Sequence, residues 1–227
     1  MKILIIVTNV ATYANGKLPT GLWLSELTHI YHSAREKAFE ITIASPKGGN
    51  TPVDPESLKP LVLDRISKGY LANPEFMALL KDTEPLGALI GQDFDLIYLA
   101  GGHGTMYDFP DNIGIQSMVS SQYENGRLVA AICHGVGGLL NVKLSNGEYL
   151  IKGKTITGFD WFEETIARRK KFVPFNLEAA LKARGVHYKK ALIPMTSNVA
   201  VDGLLITGQN PFSSVETARV VMQHLSK

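Results

Sequence analysis

The stretch that decides the fold of this chain reads Leu128-Val129-Ala130-Ala131-Ile132-Cys133-His134-Gly135-Val136-Gly137-Gly138-Leu139-Leu140. Its first five residues are apolar and partly β-branched, which is typical of a buried parallel strand. A Cys-His-Gly turn follows, and the small and apolar residues after it predict a helix. The stretch therefore predicts a strand, a sharp turn and a helix in immediate succession.

The turn places Cys133 at the start of the predicted helix, where unpaired N–H groups and the helix dipole favour a negatively charged sulfur. A cysteine in such a position is more acidic and more reactive than a free thiol. The small residues after it allow helix and strand to approach closely, as at the nucleophile elbow of hydrolases. The same pattern also fits a buried structural cysteine, so the stretch by itself leaves both interpretations open.

The length and composition are typical of one globular α/β domain over residues 1–227, with 45% apolar and 19% charged residues. A net charge of +2 gives no reason to expect a nucleic acid or a membrane as partner. The single cysteine excludes an intrachain disulfide and fits a reducing compartment. We expect a cytoplasmic protein, because the apolar run at residues 2–8 is too short for a secretion signal and no stretch approaches ~20 apolar residues.

Strand signals alternate with helical patterns along the chain. Apolar, β-branched runs predict strands over 2–8, 39–45, 95–100, 128–132, 154–159, 191–194, 199–201 and 204–207. Helical spacing predicts helices over about 21–34, 75–81, 113–125, 175–184 and 213–225, the last opening with a capping-box pattern at Ser213-Ser214-Val215-Glu216. Asn15-Gly16 predicts a turn. The alternation predicts an α/β fold: a doubly wound parallel sheet sandwiched by helices.

Residues 46–92 do not fit that alternation. They are rich in proline and interrupted by glycine, with short helical pieces such as Glu75 to Lys81. The segment is too long for a simple connection between two elements. We therefore interpret it as an insertion in the α/β core that walls a pocket and caps the site, or meets a partner subunit.

A glycine-rich turn, Gly101-Gly102-His103-Gly104, follows the predicted strand over 95–100. Glycines there let backbone N–H groups approach a ligand, but neither the phosphate-loop nor the dinucleotide spacing is present. In doubly wound sheets the site lies at the carboxyl ends of the strands. We therefore expect this turn, Cys133 and Glu26 to converge, with the turn holding an oxyanion. His103 fits a catalytic role and loop packing equally well.

Three further polar features have a simple structural interpretation. Glu26 lies in an apolar helix start and is either solvated or directed into a pocket. His29 and His32 share a helix face without an obvious third partner, whereas catalytic zinc usually has three protein ligands, so we predict no metal site. The basic run over 168–171 is most simply a solvated face, because a nucleic-acid surface would need more positive charge.

Several motifs taken together resemble one family. They are Ala100-Gly101-Gly102-His103-Gly104, Ala131-Ile132-Cys133-His134-Gly135, Ile156-Thr157-Gly158-Phe159 with Glu163-Glu164, and Asp202-Gly203-Leu204-Leu205-Ile206-Thr207-Gly208-Gln209-Asn210-Pro211. In this order they are similar to the superfamily of the parkinsonism-associated deglycase and the PfpI protease. Thr20-Gly21-Leu22 leading to Glu26, and the long segment 46–92, resemble its heat-shock chaperone branch, which has glutathione-independent glyoxalase activity.

The resemblance implies a flavodoxin-like core, usually dimeric, and assigns roles by position. It implies the catalytic residues Cys133, His134, Glu26 and Glu164, with Glu163 as the alternative acid of the triad. It implies oxyanion or substrate contacts at Gly101, Gly102 and His103, with the Gly102 and His134 N–H groups as the oxyanion donors. The family stretch before the acid is variable, and here it is the bulky Asp160-Trp161-Phe162.

These residues permit the chemistry of a cofactor-independent glyoxalase. A Cys133 thiolate adds to the aldehyde carbon of a small 2-oxoaldehyde such as methylglyoxal, and His134 or Glu26 moves a proton through an enediol. Hydrolysis of the resulting thioester gives a 2-hydroxy acid, D-lactate, and requires no metal or organic cofactor. The alternatives are a cysteine-dependent amidase or peptidase, and a stress chaperone or redox sensor in which Cys133 oxidises to a sulfinate held by Glu26.

Overall fold

The computed structural model of the protein describes residues 1–14 and 16–226, so the turn predicted at Asn15-Gly16 lies partly outside the described residues. Its strands are β1 (Lys2–Ile6), β2 (Glu40–Ser45), β3 (Glu84–Pro85), β4 (Leu96–Leu99), β5 (Leu128–Ile132), β6 (Thr155–Ile156), β7 (His187–Tyr188), β8 (Val199–Asp202) and β9 (Leu205–Gly208). Its α-helices are α1 (Leu24–Glu36), α2 (Arg65–Leu71), α3 (Pro74–Lys81), α4 (Thr105–Asp108), α5 (Ile113–Glu124), α6 (Trp161–Ile166), α7 (Leu177–Ala183) and α8 (Ser214–Leu225). Short 3₁₀ helices occupy Pro55–Leu58, Leu86–Leu89, Cys133–Leu139 and Pro211–Ser213.

Seven strands form one sheet in the order β3-β2-β1-β4-β5-β9-β8. Neighbouring strands are parallel except for β8, which runs antiparallel to β9 at the edge. Strands β6 and β7 pair with each other outside this sheet. The arrangement confirms the predicted α/β fold with a flavodoxin-like, doubly wound sheet.

The central strands are apolar on both faces because helices cover both sides of the sheet. Along β1, Leu4 and Ile6 enter one core cluster, whereas Ile3 and Ile5 enter the other. Side chains of α5 and of the 3₁₀ helix after β5 complete the first cluster, and side chains of α1 and α8 complete the second. Within the described residues, no helix is both long and apolar enough to cross a membrane.

The first helix begins later than predicted, at Leu24 instead of Gly21. The reason is a backbone interaction with a distant segment: Leu22 N–H donates to Pro52 O (2.8 Å), and Asp54 N–H donates to Leu22 O (2.9 Å). These bonds hold residue 22 in an extended conformation, so the helix starts only after them.

The strand predicted over 191–194 is absent. Side chains take the place of a neighbouring strand there, since Ala191 N–H donates to Gln209 Oε1 (2.8 Å) and Met195 N–H donates to Glu163 Oε1 (2.7 Å). The strand predicted over 154–159 shrinks to β6. The conformation of these segments is determined by hydrogen bonds to distant side chains, which strand propensity does not reveal.

The capping box predicted at Ser213 is wrong. The Ser213 side chain makes no cap bond to α8, and instead completes a capping box with Asn210 at the preceding 3₁₀ helix. The cap of this helical segment therefore lies one turn upstream, at Asn210, where the 3₁₀ helix before α8 begins.

Residues 46–92 contribute to four parts of the molecule: the sheet, the core, the packing beside α1 and the surroundings of the candidate site. Strand β3 extends the sheet by pairing with β2, and Leu86 and Leu89 enter the core. Helices α2 and α3 pack beside α1, where the ring of Phe76 lies 5.0 Å from that of Tyr31. Asp54 reaches the carboxyl end of the sheet and is 1% exposed, which places part of this segment next to the candidate site.

Candidate active site

The register of β4 and β5 sets two turns side by side. Leu99 pairs with Ala131, and each strand passes into a turn two residues later, at Gly101 and Cys133. A Cβ atom built on Gly101 would lie 3.0 Å from Cys133 Cβ. The glycine turn and the cysteine that the sequence singled out are therefore direct neighbours at the carboxyl edge of the sheet.

Cys133 has the strained backbone of a nucleophile elbow. Its φ angle is +55°, a conformation that residues other than glycine seldom adopt. The 3₁₀ helix that it starts passes close to β4, because a Cβ atom on Gly135 would lie 2.8 Å from Ala100 O. The side chain of Cys133 is buried, with 2% of the residue exposed. The strand, the turn and the close-packed helix follow the sequence prediction, although the helix is 3₁₀ rather than α.

One carboxylate holds two imidazole rings. Glu164 Oε2 accepts a hydrogen bond from His134 Nε2 (2.9 Å), and Glu164 Oε1 accepts one from His103 Nε2 (2.9 Å). These two bonds and the charge of both histidines hold the pKa of Glu164 well below its usual range against the effect of burial. An ionised carboxylate can only accept, so each Nε2 carries the ring proton. In neutral His134 the free nitrogen is then Nδ1, which lies 3.3 Å from Cys133 Sγ.

Aromatic rings fix the orientation of the two histidines. The ring centroids of His103 and His134 lie 4.1 Å apart. Tyr13 packs on His103 at 5.5 Å, and Phe159 packs on His134 at 4.6 Å. This stack of four rings leaves each imidazole little freedom to turn away from Glu164.

Glu26 faces the thiol from the other side, in the first turn of α1. It is completely buried, and among the described residues neither carboxyl oxygen has a hydrogen-bond partner of standard geometry. Burial raises the pKa of Glu26 to about 8, opposed by the Cys133 side chain and the Gly101 N–H. Glu26 is therefore protonated near neutral pH, and the alternative of a solvated carboxylate does not hold.

Burial and the neighbouring Glu26 also raise the pKa of the Cys133 thiol, whereas the His134 N–H lowers it. The position at a helix start is therefore not enough to make this thiol acidic, contrary to the expectation from the sequence. The physical reason is that burial disfavours the thiolate more than a short 3₁₀ helix stabilises it. Activation of the thiol needs an acceptor for its proton, and His134 Nδ1 is in place to accept it.

The structure separates the two adjacent glutamates of α6. Glu164 reaches His134, whereas Glu163 Oε1 accepts bonds from Asn210 Nδ2 (2.7 Å) and Met195 N–H (2.7 Å). Asp160 caps α6 by accepting from the backbone N–H of Glu163 (2.9 Å). The bulky residue Phe162 is 57% exposed, so its size does not alter the site.

This geometry can be compared with known proteins. The family model described as "DJ-1/PfpI family" matches residues 21–224, which include every candidate site residue. The chain belongs to the DJ-1/PfpI family. Its resemblance to that family, inferred from the sequence motifs, is thereby confirmed.

Among curated proteins, this DJ-1/PfpI member is 32% identical to Glyoxalase 3 of Candida albicans over 231 residues, covering 98% of this chain and 97% of that protein. It is 31% identical to the glutathione-independent glyoxalase HSP31 of Saccharomyces cerevisiae, covering 96% and 94%. The solved structure of glyoxalase III from Candida albicans matches with a TM-score of 0.88 at 31% identity, covering 98% and 96%. That of the Rapid Encystment Protein of Francisella tularensis matches with a TM-score of 0.93 at 39% identity, covering 99% and 98%.

In this DJ-1/PfpI protein the structure brings together all seven candidate residues predicted from the sequence, namely Gly101, Gly102, His103, Cys133, His134, Glu26 and Glu164. The Gly101–Gly102 turn is held by backbone bonds: Gly101 O accepts from Trp23 N–H (3.1 Å), and Gly102 O accepts from Thr105 N–H (3.1 Å). These bonds tie the turn to the start of α1 on one side and to α4 on the other.

Two residues near the site were missed from the sequence. Asp54, buried in the segment 46–92, accepts a hydrogen bond from Thr20 Oγ1 (3.0 Å), and its charge acts on His103. Tyr13 packs on His103, and burial raises its pKa. Neither residue lies next to a recognisable motif, and both reach the site through long-range packing.

The histidine pair on α1 lies elsewhere. His29 Nε2 is 3.0 Å from Asp64 Oδ2, and His32 Nδ1 is 3.2 Å from Tyr70 OH. In the part of the chain that the structure describes, the group whose ligand atoms could hold a metal ion is instead His103, His134 and Glu164, with these atoms within 4.8 Å of one another.

Proposed function

We propose that this protein is a glutathione-independent glyoxalase that converts a small 2-oxoaldehyde such as methylglyoxal into the corresponding 2-hydroxy acid. Curated relatives that cover nearly the whole chain carry that activity in their names. The structural relative from Candida albicans is a glyoxalase III. These relationships support the activity, and the mechanism below is inferred from the site.

The observation that carries this proposal is the presence of two proton-transfer groups on opposite sides of one thiol. His134 Nδ1 lies 3.3 Å from Cys133 Sγ, and the buried carboxyl group of Glu26 has a pKa of about 8. Acyl hydrolysis needs one general base beside the nucleophile. Conversion of a 2-oxoaldehyde also needs a proton to move between neighbouring carbon atoms, and a carboxyl group that titrates near neutral pH is suited to that task.

In the first step, His134 Nδ1 accepts the thiol proton as Cys133 Sγ forms a bond to the aldehyde carbon. Glu164 stabilises the resulting imidazolium ion through its bond to Nε2. The carbonyl oxygen of the aldehyde takes the proton of the Glu26 carboxyl group and becomes the hydroxyl group of a hemithioacetal, which leaves Glu26 as a carboxylate. The transient oxyanion lies next to the Gly101–Gly102 turn, whose N–H groups we propose as donors together with the N–H of His134.

In the second step, a base removes the hydrogen from the former aldehyde carbon while the neighbouring ketone oxygen is protonated, giving an enediol. We assign this transfer to Glu26, which cycles between carboxyl and carboxylate. Glu26 returns a proton to the second carbon while the hydroxyl group on the first carbon loses its proton, which gives the thioester of a 2-hydroxy acid. The two carbons exchange oxidation states within one molecule, so no external oxidant or reductant is consumed.

In the last step, water attacks the thioester, the C–S bond breaks, and the thiol of Cys133 is restored. His134 is placed to take a proton from that water. The sum is one 2-oxoaldehyde and one water giving one 2-hydroxy acid. The proposed steps use side chains and water alone, and they belong to a lyase (D-lactate dehydratase) type of reaction.

Burial favours a small substrate over a peptide. Cys133 is 2% exposed and His134 is 1% exposed, so a chain of amino acids has little access to the sulfur. The same Cys-His-Glu set could hydrolyse a small amide, which would release ammonia or an amine instead of a hydroxy acid. The chemical identity of the product therefore separates the two enzyme classes.

The test is turnover of methylglyoxal without glutathione, with lactate and its stereochemistry measured for wild type, Cys133→Ala and Glu26→Gln. We expect D-lactate from wild type and none above the uncatalysed rate from Cys133→Ala. Glu26→Gln should lose about 10²–10⁴-fold in turnover, the usual worth of a positioned acid–base group. Absence of lactate from wild type would refute the proposal, and aggregation assays with Cys133→Ala would then test a chaperone role.

A further inference from the structure

The shared carboxylate gathers more ligand atoms than acid–base chemistry needs. Nε2 of His103 and Nε2 of His134 each lie 2.9 Å from a different oxygen of Glu164. All three ligand atoms lie within 4.8 Å of one another, and the three residues are buried. Among the described residues, no other group of three or more His, Cys, Asp or Glu side chains places its ligand atoms this close.

Two imidazole nitrogens and one carboxylate are a donor set that suits Zn²⁺ and similar divalent transition metals. Bond lengths of about 2.0–2.2 Å place neighbouring ligand atoms of a tetrahedral zinc site about 3.3 Å apart. The two nitrogen–oxygen distances of 2.9 Å involve different oxygens of Glu164 and need to widen by a few tenths of an ångström. The longest separation in the set, at most 4.8 Å, needs to shrink by up to about 1.5 Å. An ion would replace the two ring protons that now point at Glu164.

The surroundings favour a cation at this point. Both oxygens of Glu164 already face an imidazole nitrogen, and the carboxyl group of Asp54 lies close enough to interact electrostatically with His103. The second nitrogen of His134 faces Cys133 Sγ at 3.3 Å. Zinc-bound histidines usually donate their second N–H to a carboxylate, a carbonyl or a water, and in His134 the Cys133 sulfur occupies that position.

We propose that His103, His134 and Glu164 form a binding site for a divalent transition-metal ion of the zinc type, and that this ion inhibits the enzyme reversibly. Inhibition follows from the ring protons of His134. When Nε2 binds the ion, a neutral ring carries its proton on Nδ1, which can no longer accept the proton of Cys133. This inhibitory consequence rests on the glyoxalase function proposed above, whereas binding of the ion does not.

Other histidines offer a matched control. His32 lies on α1, with its side chain 37% exposed, near Glu36 Oε1 at 3.5 Å and Tyr70 OH at 3.2 Å. The variant His32→Ala therefore tests whether a surface histidine binds the ion adventitiously. Substitution of His32 removes one of the six histidines of the chain without touching Cys133, His134 or Glu164.

The experiment titrates chelator-treated protein with Co²⁺ alone and reads the visible absorption spectrum, then repeats the titration with Zn²⁺ by calorimetry. We expect one ion per chain in wild type, Cys133→Ala and His32→Ala, with cobalt bands of nitrogen and oxygen ligands and no sulfur-to-cobalt charge-transfer band. His103→Ala and the isosteric Glu164→Gln should each weaken binding at least about tenfold, since the first removes a ligand nitrogen and the second replaces a charged ligand oxygen by a neutral amide oxygen. Circular dichroism checks that both variants fold, and the isosteric variant carries the test if His103→Ala does not.

Three results would overturn the site. They are no saturable binding to wild type, loss of binding in Cys133→Ala with a sulfur charge-transfer band in wild type, and unchanged affinity in both His103→Ala and Glu164→Gln. In a separate arm, Zn²⁺ should reduce methylglyoxal turnover in proportion to occupancy, and a chelator should restore it. Binding in a protein that has no glyoxalase activity would refute the proposed function and leave the metal site standing.

Discussion

The carboxyl group of Glu26 lies directly against the Cα of Gly101, and a Cβ atom at residue 101 would overlap Glu26 Oε2 and lie 2.6 Å from Ile132 O. Gly101→Ala should therefore displace the acid from the thiol. We expect turnover to fall at least tenfold and the melting temperature to drop, because overpacking of a filled core costs about 1–3 kcal/mol. Steady-state kinetics and thermal unfolding measure the two effects.

Gly69→Ala provides the control for that substitution. Gly69 lies within α2, and a Cβ atom there would meet nothing within 4 Å. Replacing glycine by alanine inside a helix stabilises it by about 0.5–1 kcal/mol. Turnover should stay at the wild-type level in Gly69→Ala, and equal losses in both variants would contradict a specific role for the contact between Gly101 and Glu26.

Glu26→Gln should make the protein more stable above neutral pH while it loses activity. Burial raises the pKa of Glu26 to about 8 in the folded protein, against a usual value of 4.5. The unfolded chain therefore releases a proton that the folded protein retains, and this destabilises the fold increasingly from about pH 4.5 to pH 8. Removing the titrating group should recover up to about 3 kcal/mol at pH 7.

The measurement is denaturant unfolding of wild type and Glu26→Gln at several pH values. The difference in free energy of unfolding should be small near pH 4, grow with rising pH and level off above pH 8. A difference that does not change with pH would show that the carboxyl group of Glu26 keeps an ordinary pKa in the folded protein.

Glu164→Gln and Glu163→Gln should separate the roles of the two neighbours on α6. Glu164→Gln removes the negative charge that both His103 and His134 contact, and it should lower turnover about 10²–10⁴-fold. Glutamine at position 163 can still accept from Asn210 and Met195, so turnover should stay within a few-fold of wild type. Kinetics of the two variants, assayed in parallel, test the assignment, and a larger loss in Glu163→Gln would reverse it.

The ionisation of Glu164 also predicts a stability change with pH. The pKa of Glu164 in the folded protein lies well below its usual value of 4.5. The ionised side chain therefore contributes its full share to the free energy of unfolding above pH 4.5, and this contribution is lost as the pH falls below 4.5. Glu164→Gln should therefore lose stability relative to wild type at pH 7. The deficit should shrink on acidification, as urea unfolding at pH 7 and pH 3 would show.

Asp160 positions Glu164 by capping a helix of only six residues. Asp160→Ala removes acceptors for the N–H groups of Phe162 and Glu163, which should cost about 0.5–2 kcal/mol and reduce kcat. Asn176→Ala removes the equivalent cap of α7. Both variants should lose similar stability, and only Asp160→Ala should lose turnover. Equal kinetics for the two would show that the cap does not position the acid.

The central part of the fold was predictable because it depends on local pattern. Buried parallel strands appear in the sequence as apolar runs. The turns at Gly101 and Cys133 are recognisable from the glycines and the Cys-His-Gly sequence that directly follow two such runs. The missing strand over 191–194 shows the limit of this approach. The N–H of Ala191 bonds to the side chain of Gln209, and the N–H of Met195, just after the segment, bonds to that of Glu163; no local pattern records such distant partners.

The candidate site was predictable in membership and only partly in geometry. Adjacent residues of a helix point about 100° apart, so the sequence could not separate Glu163 from Glu164. Their directions depend on where Asp160 starts the helix. Asp54 could not be found at all, because it reaches the site through the contact of Leu22 with the segment around Val53. The homodimer, the cytoplasmic location and the single domain over 1–227 stay predictions.

The pairing of Leu99 with Ala131 has a consequence for how this site can change during evolution. The thiol and the glycine turn are each two residues beyond that pair, so the distance between them is determined by the alignment of two hydrophobic strands. A shift of one residue would move Cys133 by about 3.3 Å and turn every side chain of β5 to the opposite face. Apolar residues of β4 and β5 are therefore free to exchange in kind, whereas a single inserted or deleted residue in either strand would separate the reacting groups. Selection is therefore expected to conserve the lengths of these two strands more strictly than the identity of their side chains.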